Sequence, residues 1–429
     1  MDIIKNILIF PAGTEIAYEI VNALKYSKFV NLYGGTSVKD HSEFVYKHLI
    51  SDFPFVTDDD FLVYLNKVIE EYNIDCVYPA HDSVALFLSE HRDEILAQVI
   101  ISNEYTTRIC RSKKETYDFF RGEKFVPIYY KSVGEVFDFP VFVKPTVGQG
   151  SNGACKITNK KELFDAYEKD PTIVICEYLP GMEYTVDCFT DSKGNLLVSE
   201  LRDRQRIRMG ISVRSEHQNA DISIINIANR INEMLEFKGA WFFQVKRNSE
   251  GKYRLLEISP RIPGTMGVSR NLGINFPLLT LFAFWGYDVS IIKNDYSIIL
   301  DRAFHSSYCI HAEYDHVYID FDDTLIFKGK VNEDIIRYLY QAKNQGKKLH
   351  LLSRHIGNIE EDMREYCLCV DLFDDIIVVK ADDEKYENIT ELNSIFIDDS
   401  FAERKKVHDK IGIPVFDLDM IESLMDWRV

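Results

Sequence analysis

Alternating strand and helix patterns at the two ends of the chain, with a β-rich stretch between them, constrain the fold more than any other feature. Within residues 1–110, short apolar strands at 6–10 and 76–78 alternate with amphipathic helical segments at 15–26, 61–72 and 84–96. After residue 314 the alternation returns, with strands at 317–319, 349–352, 376–379 and 395–397, each followed by a charged cluster. Strand–helix–strand alternation predicts a parallel sheet with helices on its faces. Residues 139–257 break the pattern. Their strands are rich in Val, Ile and Phe and are separated by Gly-containing turns, which predicts an antiparallel or mixed sheet. The expected class is α/β, in three parts: 1–110, 111–314 and 315–429.

Length and charge agree with that division. A chain of 429 residues suggests about three folding units. From Asp315 onward 26 acidic and 15 basic residues give a net charge of −11, against −7 for everything before. The whole chain carries −18, which disfavours phosphate backbones and anionic lipid, so no nucleic-acid or membrane partner is expected. With 28 Phe and 24 Tyr, the apolar surface excludes global disorder. Eight scattered Cys form no C-x-x-C pair, which suggests buried thiols in a reducing, cytoplasmic setting. The apolar run at 7–10 is too short for a signal segment. The one at 276–286 is about half of the ~20 residues a membrane span needs, and reads as a core helix.

The middle of the chain contains an anion-binding pattern. Residues 140–153 read PVFVKPTVGQGSNG: a strand delivers Lys144, and a loop with Gly148, Gly150 and Ser151 follows. Glycine lets backbone amides approach phosphate oxygens, and Lys144 adds a point charge for the same anion. A hairpin loop with a surface lysine is the alternative. Residues 173–187 read IVICEYLPGMEYTVD, and 241–261 read WFFQVKRNSEGKYRLLEISPR, two strands whose turn sets Gln244 near Glu257. This ordered set resembles the ATP-grasp superfamily, in the branch like carbamoyl-phosphate synthetase and biotin carboxylase, from about residue 7 to 285.

That resemblance implies a parallel-sheet domain followed by two α+β subdomains that clamp ATP. It assigns Lys113 and Lys144 to the ATP phosphates, Glu177, Tyr178 and Leu179 to the adenine edge, and Glu183 to the ribose hydroxyls. Glu257 becomes the main Mg²⁺ ligand with Gln244 as its partner, and Arg261 faces the transferring phosphoryl group. Two residues depart from the pattern. Ser259 replaces the usual Asn, and Gln244 is neutral where many relatives have an acid, so whether one or two Mg²⁺ bind stays open. Members of the superfamily make an acyl phosphate from a carboxylate and ATP, which an amine then displaces. Residues 201–214, LRDRQRIRMGISVR, resemble the segment that faces the acceptor. Arg204 and Arg208, then Arg202, are the expected carboxylate or phosphate seat, with a solvated strand face or, less favoured by the surrounding negative charge, a nucleic-acid contact as the alternatives. His81 and Asp82 are candidates for the acceptor site or for a loop cap.

The last third carries a second constellation. Residues 316–325 read HVYIDFDDTL: an apolar strand running into Asp320-Phe-Asp322-Asp323-Thr324. LHLLS at 349–353, Lys380 and Lys385 after the third strand, and Ile397-Asp398-Asp399-Ser400 after the fourth follow in order. This resembles the haloacid dehalogenase (HAD) superfamily and implies an uncapped Rossmann-like phosphatase domain. In it, Asp320 is the nucleophile, Asp322 the acid and base, Ser353 a phosphoryl holder, and Lys385 or Lys380 the neutralising cation. Asp320, Asp322 through its carbonyl, Asp398 and Asp399 would hold Mg²⁺. One helix, 332–345, fills the interval before LHLLS, leaving no room for a large cap.

Two enzymes in one chain are therefore expected: an ATP-dependent carboxylate–amine ligase, and a phosphatase acting on a phosphorylated substrate. ATP and Mg²⁺ serve as cofactors, and a homo-oligomer is an open alternative. An ATP-binding sensor in which only the phosphatase half is active is the rival.

Overall fold

The computed structural model describes residues 4–428 other than Gln149, Ser151, Met209 and Ala381. The chain divides into two compact units, Met1–Phe304 and His305–Arg428. The division falls upstream of Tyr314, where the charge changes, because Tyr314 already packs in the core of the second unit.

The first unit opens on a parallel sheet of Lys5–Phe10, Val30–Gly35, His48–Ile50, Cys76–Pro79 and Gln98–Val99. Numbered along the chain, their spatial order is third, second, first, fourth, fifth. Side chains alternate across the first strand: Ile7 and Ile9 enter one apolar core, Leu8 and Phe10 the other. Both faces are therefore buried, as a parallel sheet covered by crossover helices requires. The helix expected at 84–96 is shorter, Asp82–Glu90, followed by a 3₁₀ turn at Arg92–Glu94. His81 sets its start by accepting the amide of Ser83 through Nδ1, at 3.2 Å.

Two antiparallel sheets follow. The smaller holds Tyr129–Tyr130, Val174–Glu177, Val141–Lys144 and Cys155–Ile157, in that spatial order. The larger runs Arg206–Arg208, Ile211–Gln218, Leu196–Asp203, Glu183–Thr190, Gly239–Arg247, Tyr253–Ser259, with Ile299–Asp301 added on Ile211–Gln218. Phe276–Phe284 is a helix packed in the first unit's core. Among the described residues no helix is long and apolar enough to cross a membrane.

The second unit repeats the order of the first sheet. Its five parallel strands are His316–Ile319, Lys348–Ser353, Asp375–Val378, Ser394–Ile397 and Val415–Phe416, arranged third, second, first, fourth, fifth. Val317 and Ile319 face one core and Tyr318 the other. The interval before LHLLS holds more than the single expected helix. A two-stranded hairpin, Ile326–Phe327 with Lys330–Val331, precedes helix Glu333–Asn344. Lys328 and Gly329 turn it with φ of 51° and 71°, the left-handed values a tight hairpin turn uses. In an open parallel sheet, ligands lie beyond the strand carboxyl ends where the order reverses. In each unit that point lies between the first and fourth strands.

Candidate active sites

In the first unit, the register of the large sheet pairs Gln244 with Glu257 on neighbouring strands, with a bulge immediately after Gln244. Lys144 ends the strand of the small sheet that faces them. Its buried ammonium donates to Tyr117 Oη at 2.6 Å and to the Leu256 carbonyl at 3.0 Å. Burial, with help from the nearby Lys113 charge, lowers the Lys144 pKa. Lys113 donates to the Gly148 carbonyl at 3.0 Å and lies 3.8 Å from Glu257 Oε2. Lys113, Lys144, Gly148, Gly150, Glu177, Tyr178, Leu179, Glu183, Gln244 and Glu257 all line one cavity of about 150 Å³. Ser151 lies outside the described residues. Gly210 closes over the cavity: it has φ +74°, and a Cβ there would sit 2.0 Å from the backbone of Gly150. Only glycine allows those two loops to meet.

A second cavity of about 410 Å³ adjoins the first and shares Lys113, Gln244 and Glu257 with it. Of the arginines expected to seat the carboxylate, Arg202 and Arg204 line this cavity and Arg208 does not. Arg208 is exposed on the short outer strand. Arg202 is buried and forked onto Asp187, at 2.9 and 3.1 Å. Arg204 lies 3.2 Å from Glu183 and donates to the Gly210 carbonyl at 2.7 Å. Arg261 is forked onto Asp82, at 2.8 and 2.6 Å, and Ser259 Oγ donates to the same carboxylate at 3.0 Å. Burial alone would raise the Asp82 pKa; Arg261, Arg111 and Ser259 instead hold it at about 2. Ser259, which departs from the family pattern, thus ties the end of the large sheet to the first domain.

Sequence reasoning missed Arg111, at the end of helix Glu104–Arg111. Among the described residues it is the guanidinium lining this cavity without a carboxylate within salt-bridge distance, and it donates to Ser83 Oγ at 3.1 Å. Its position two residues before Lys113 was the available signal. Asp82→Asn leaves the Arg261 guanidinium without its ion partner. It is expected to cost the first unit about 3 kcal/mol in urea unfolding, a loss no surface Asp would cause.

In the second unit, register alone assembles the site. Ile319 pairs with Ile397 and with Leu351, so the residues that follow, Asp320 and Asp398, emerge side by side at the strand ends, with Ser353 beside them. Asp323 takes φ 57°, which turns the chain so that Thr324 Oγ accepts the Asp399 amide at 3.0 Å. Oxygens of Asp320, Asp398 and Asp399 lie within 4.8 Å of one another. The two expected lysines separate clearly. Lys380 is exposed, whereas Lys385 is buried, 2.9 Å from Asp320 and 2.6 Å from Asp398. Against the effect of burial, those carboxylates raise the Lys385 pKa. Burial and the Asp320 charge push Asp398 up to about 6. Three carboxylates facing one ammonium leave excess negative charge, and an all-oxygen donor set suits Mg²⁺. Ser353 Oγ is buried and has no hydrogen-bond partner among the described residues. Asp322 is exposed on the rim, and its carboxylate meets His355. Arg404 binds the carbonyls of Asp398 and Asp399, at 2.6 and 2.7 Å, and is anchored on Asp417.

These geometries can be set beside known proteins. The first unit has the ATP-grasp fold, a parallel sheet followed by antiparallel subdomains. Its architecture is similar to the biotin carboxylase of Campylobacter jejuni in complex with an ATP analogue. That structure has TM-score 0.58 at 18% identity, covering 69% of this chain and 75% of that one. It is also similar to an L-amino acid ligase from Bacillus licheniformis, with TM-score 0.53 at 17% identity over 68% and 76% of the two chains. At these identities the likeness is one of fold. More narrowly, residues 169–299 match the family model described as ATP-grasp in the biosynthetic pathway with Ter operon. A D-alanine–D-alanine ligase of Prochlorococcus marinus (strain AS9601) is 33% identical over 116 residues, 25% of this chain and 31% of that protein's length.

Proposed function

We propose that the chain is an ATP-dependent carboxylate–amine ligase joined to a Mg²⁺-dependent phosphatase of the haloacid dehalogenase type. One observation carries the ligase reading: two lysines, an adenine-edge segment and the Gln244–Glu257 pair meet in a single cavity that opens into a second, cation-lined one. The relatives named as ligases support the same chemistry.

In the ligase site, a carboxylate oxygen attacks the γ-phosphorus of ATP, giving an acyl phosphate and ADP. The amine then attacks the acyl carbon and inorganic phosphate leaves. Lys113 and Lys144 balance charge on the phosphates, and Arg261, held in place by Asp82, faces the phosphoryl group. Glu257 and Gln244 would hold Mg²⁺, which would supply neutralisation of the charge that develops in transfer. Arg111 seats the substrate carboxylate. Arg111→Ala is expected to raise the KM for the acid about tenfold or more with little change in the KM for ATP, measured by coupled ADP release. Equal changes in both would contradict that role.

In the phosphatase site, Asp320 attacks phosphorus and Asp322 protonates the departing alcohol. Asp322 then takes a proton from water, which attacks the aspartyl phosphate and releases inorganic phosphate. Ser353 and Lys385 hold the phosphoryl oxygens. Asp320, Asp398 and Asp399 would hold Mg²⁺, which would supply the charge neutralisation that an anionic nucleophile and a phosphate need. Fusion suggests consecutive steps, in which a phosphorylated partner is ligated and its phosphate then removed. ADP release with paired acids and amines tests the ligase. ATP binding with no turnover for any pair would favour the sensor, for which Gln244 and Ser259 are the supporting departures.

A further inference from the structure

The rear site holds a side chain that no step above uses. The strand Lys348–Ser353 continues through Arg354 to His355, whose imidazole is only 7% exposed although it lies at the rim. Its Nδ1 is 2.9 and 3.2 Å from the two oxygens of Asp322, and its Nε2 lies 2.9 Å from Asp362 Oδ2, within ion-pair distance but without hydrogen-bond geometry. The ring also packs edge-on against Phe321, with centroids 5.3 Å apart. Both carboxylates are far more open, with Asp322 at 52% and Asp362 at 43% exposure. Among the described residues, His355 is the only side chain that hydrogen-bonds the Asp322 carboxylate.

A proton donor must lie within ~2.6–3.2 Å of the oxygen it protonates. An exposed aspartate on a loop samples several rotamers and meets that distance only part of the time. A buried ring, packed on Phe321 and set beside Asp362 of the adjoining helix Ile359–Glu365, fixes one of them. We propose that His355 is a positioning residue: buried against Phe321 and beside Asp362, it fixes the Asp322 carboxylate where it protonates the leaving alcohol. This rests on the phosphatase reading and deepens it. It implies that the natural substrate is an alkyl phosphate, whose alkoxide cannot leave unprotonated, rather than an ester of an acidic phenol.

Leaving-group dependence separates this role from a structural one. The measurement is kcat/KM with Mg²⁺ for glycerol phosphate and for 4-nitrophenyl phosphate, because kcat/KM reports steps up to alcohol departure. His355→Ala is expected to lower the glycerol phosphate value about 10²-fold while barely affecting the nitrophenyl ester, whose leaving group needs no proton. His355→Asn, which keeps a donor near the Nδ1 position, should recover much of the loss. Asp362→Asn, which leaves the imidazole present, should repeat the pattern at smaller size and serves if His355→Ala does not fold. Combining His355→Ala with Asp322→Asn should be no worse than Asp322→Asn alone. Equal losses on both esters, or additive losses in the double variant, overturn the positioning role and leave the phosphatase standing. A wild-type chain inert towards both esters overturns the phosphatase and the positioning role together.

Discussion

Asp320→Asn is expected to abolish phosphate-monoester hydrolysis, by roughly 10⁴-fold or more, while acid-dependent ADP release continues. The substitution is nearly isosteric, but an amide is a poor nucleophile and carries no charge for a metal. Lys385 keeps Asp398 as its second partner at 2.6 Å, so the fold around the site should survive. Phosphate release from an aryl phosphate checks the first half of this expectation. The second half has a sharper consequence. If the two reactions are consecutive, Asp320→Asn given ATP, acid and a phosphorylated amine accumulates a phosphorylated conjugate, visible by mass spectrometry. An unchanged product would contradict the sequence of steps, though not the existence of the two sites.

Glu257→Gln is expected to have the complementary effect. Glu257 is the carboxylate nearest Lys113, at 3.8 Å, and the register partner of a neutral glutamine. Hard Mg²⁺ prefers charged oxygen, and Gln244 cannot compensate. In the proposed ligase site, loss of Glu257 should therefore remove the charged protein ligand for a cation on the ATP phosphates. ADP formation should fall about 10²–10³-fold, with aryl phosphate hydrolysis untouched. Rates within twofold of wild type would mean that the cation is held elsewhere.

Much of this architecture was legible because it is periodic. Alternation across Ile7, Leu8, Ile9 and Phe10, and across Val317, Tyr318 and Ile319, specifies strands buried on both faces. The spacing of Asp320 and Asp398 after their strands suffices to bring them together once the strands are parallel and in register. What sequence could not reveal were ion pairs between residues far apart in the chain. Five arginines within residues 201–214 read as a free cationic patch, yet Arg202 and Arg204 are matched by Asp187 and Glu183 on the neighbouring strand. Arg261 is matched by Asp82, far away in sequence. Arg111, which among the described residues lines the cavity without a carboxylate at salt-bridge distance, comes from a helix with no distinctive motif. Lys380 and Lys385 are equivalent as spacing and different as geometry, because only the latter sits in the short 3₁₀ turn Lys385–Asn388 that faces the strand ends. His355 follows Ser353 by two residues and had no pattern to mark it.

ADP formation by the purified chain, with Mg²⁺ and panels of carboxylates and amines, tests the two-site proposal most directly when inorganic phosphate from an aryl phosphate is followed in parallel. The expected result is ADP release that requires a carboxylate and disappears in Glu257→Gln, alongside ester hydrolysis that persists in Glu257→Gln and disappears in Asp320→Asn. ADP release indifferent to every carboxylate, or a single substitution that silences both reactions in a folded chain, would contradict it.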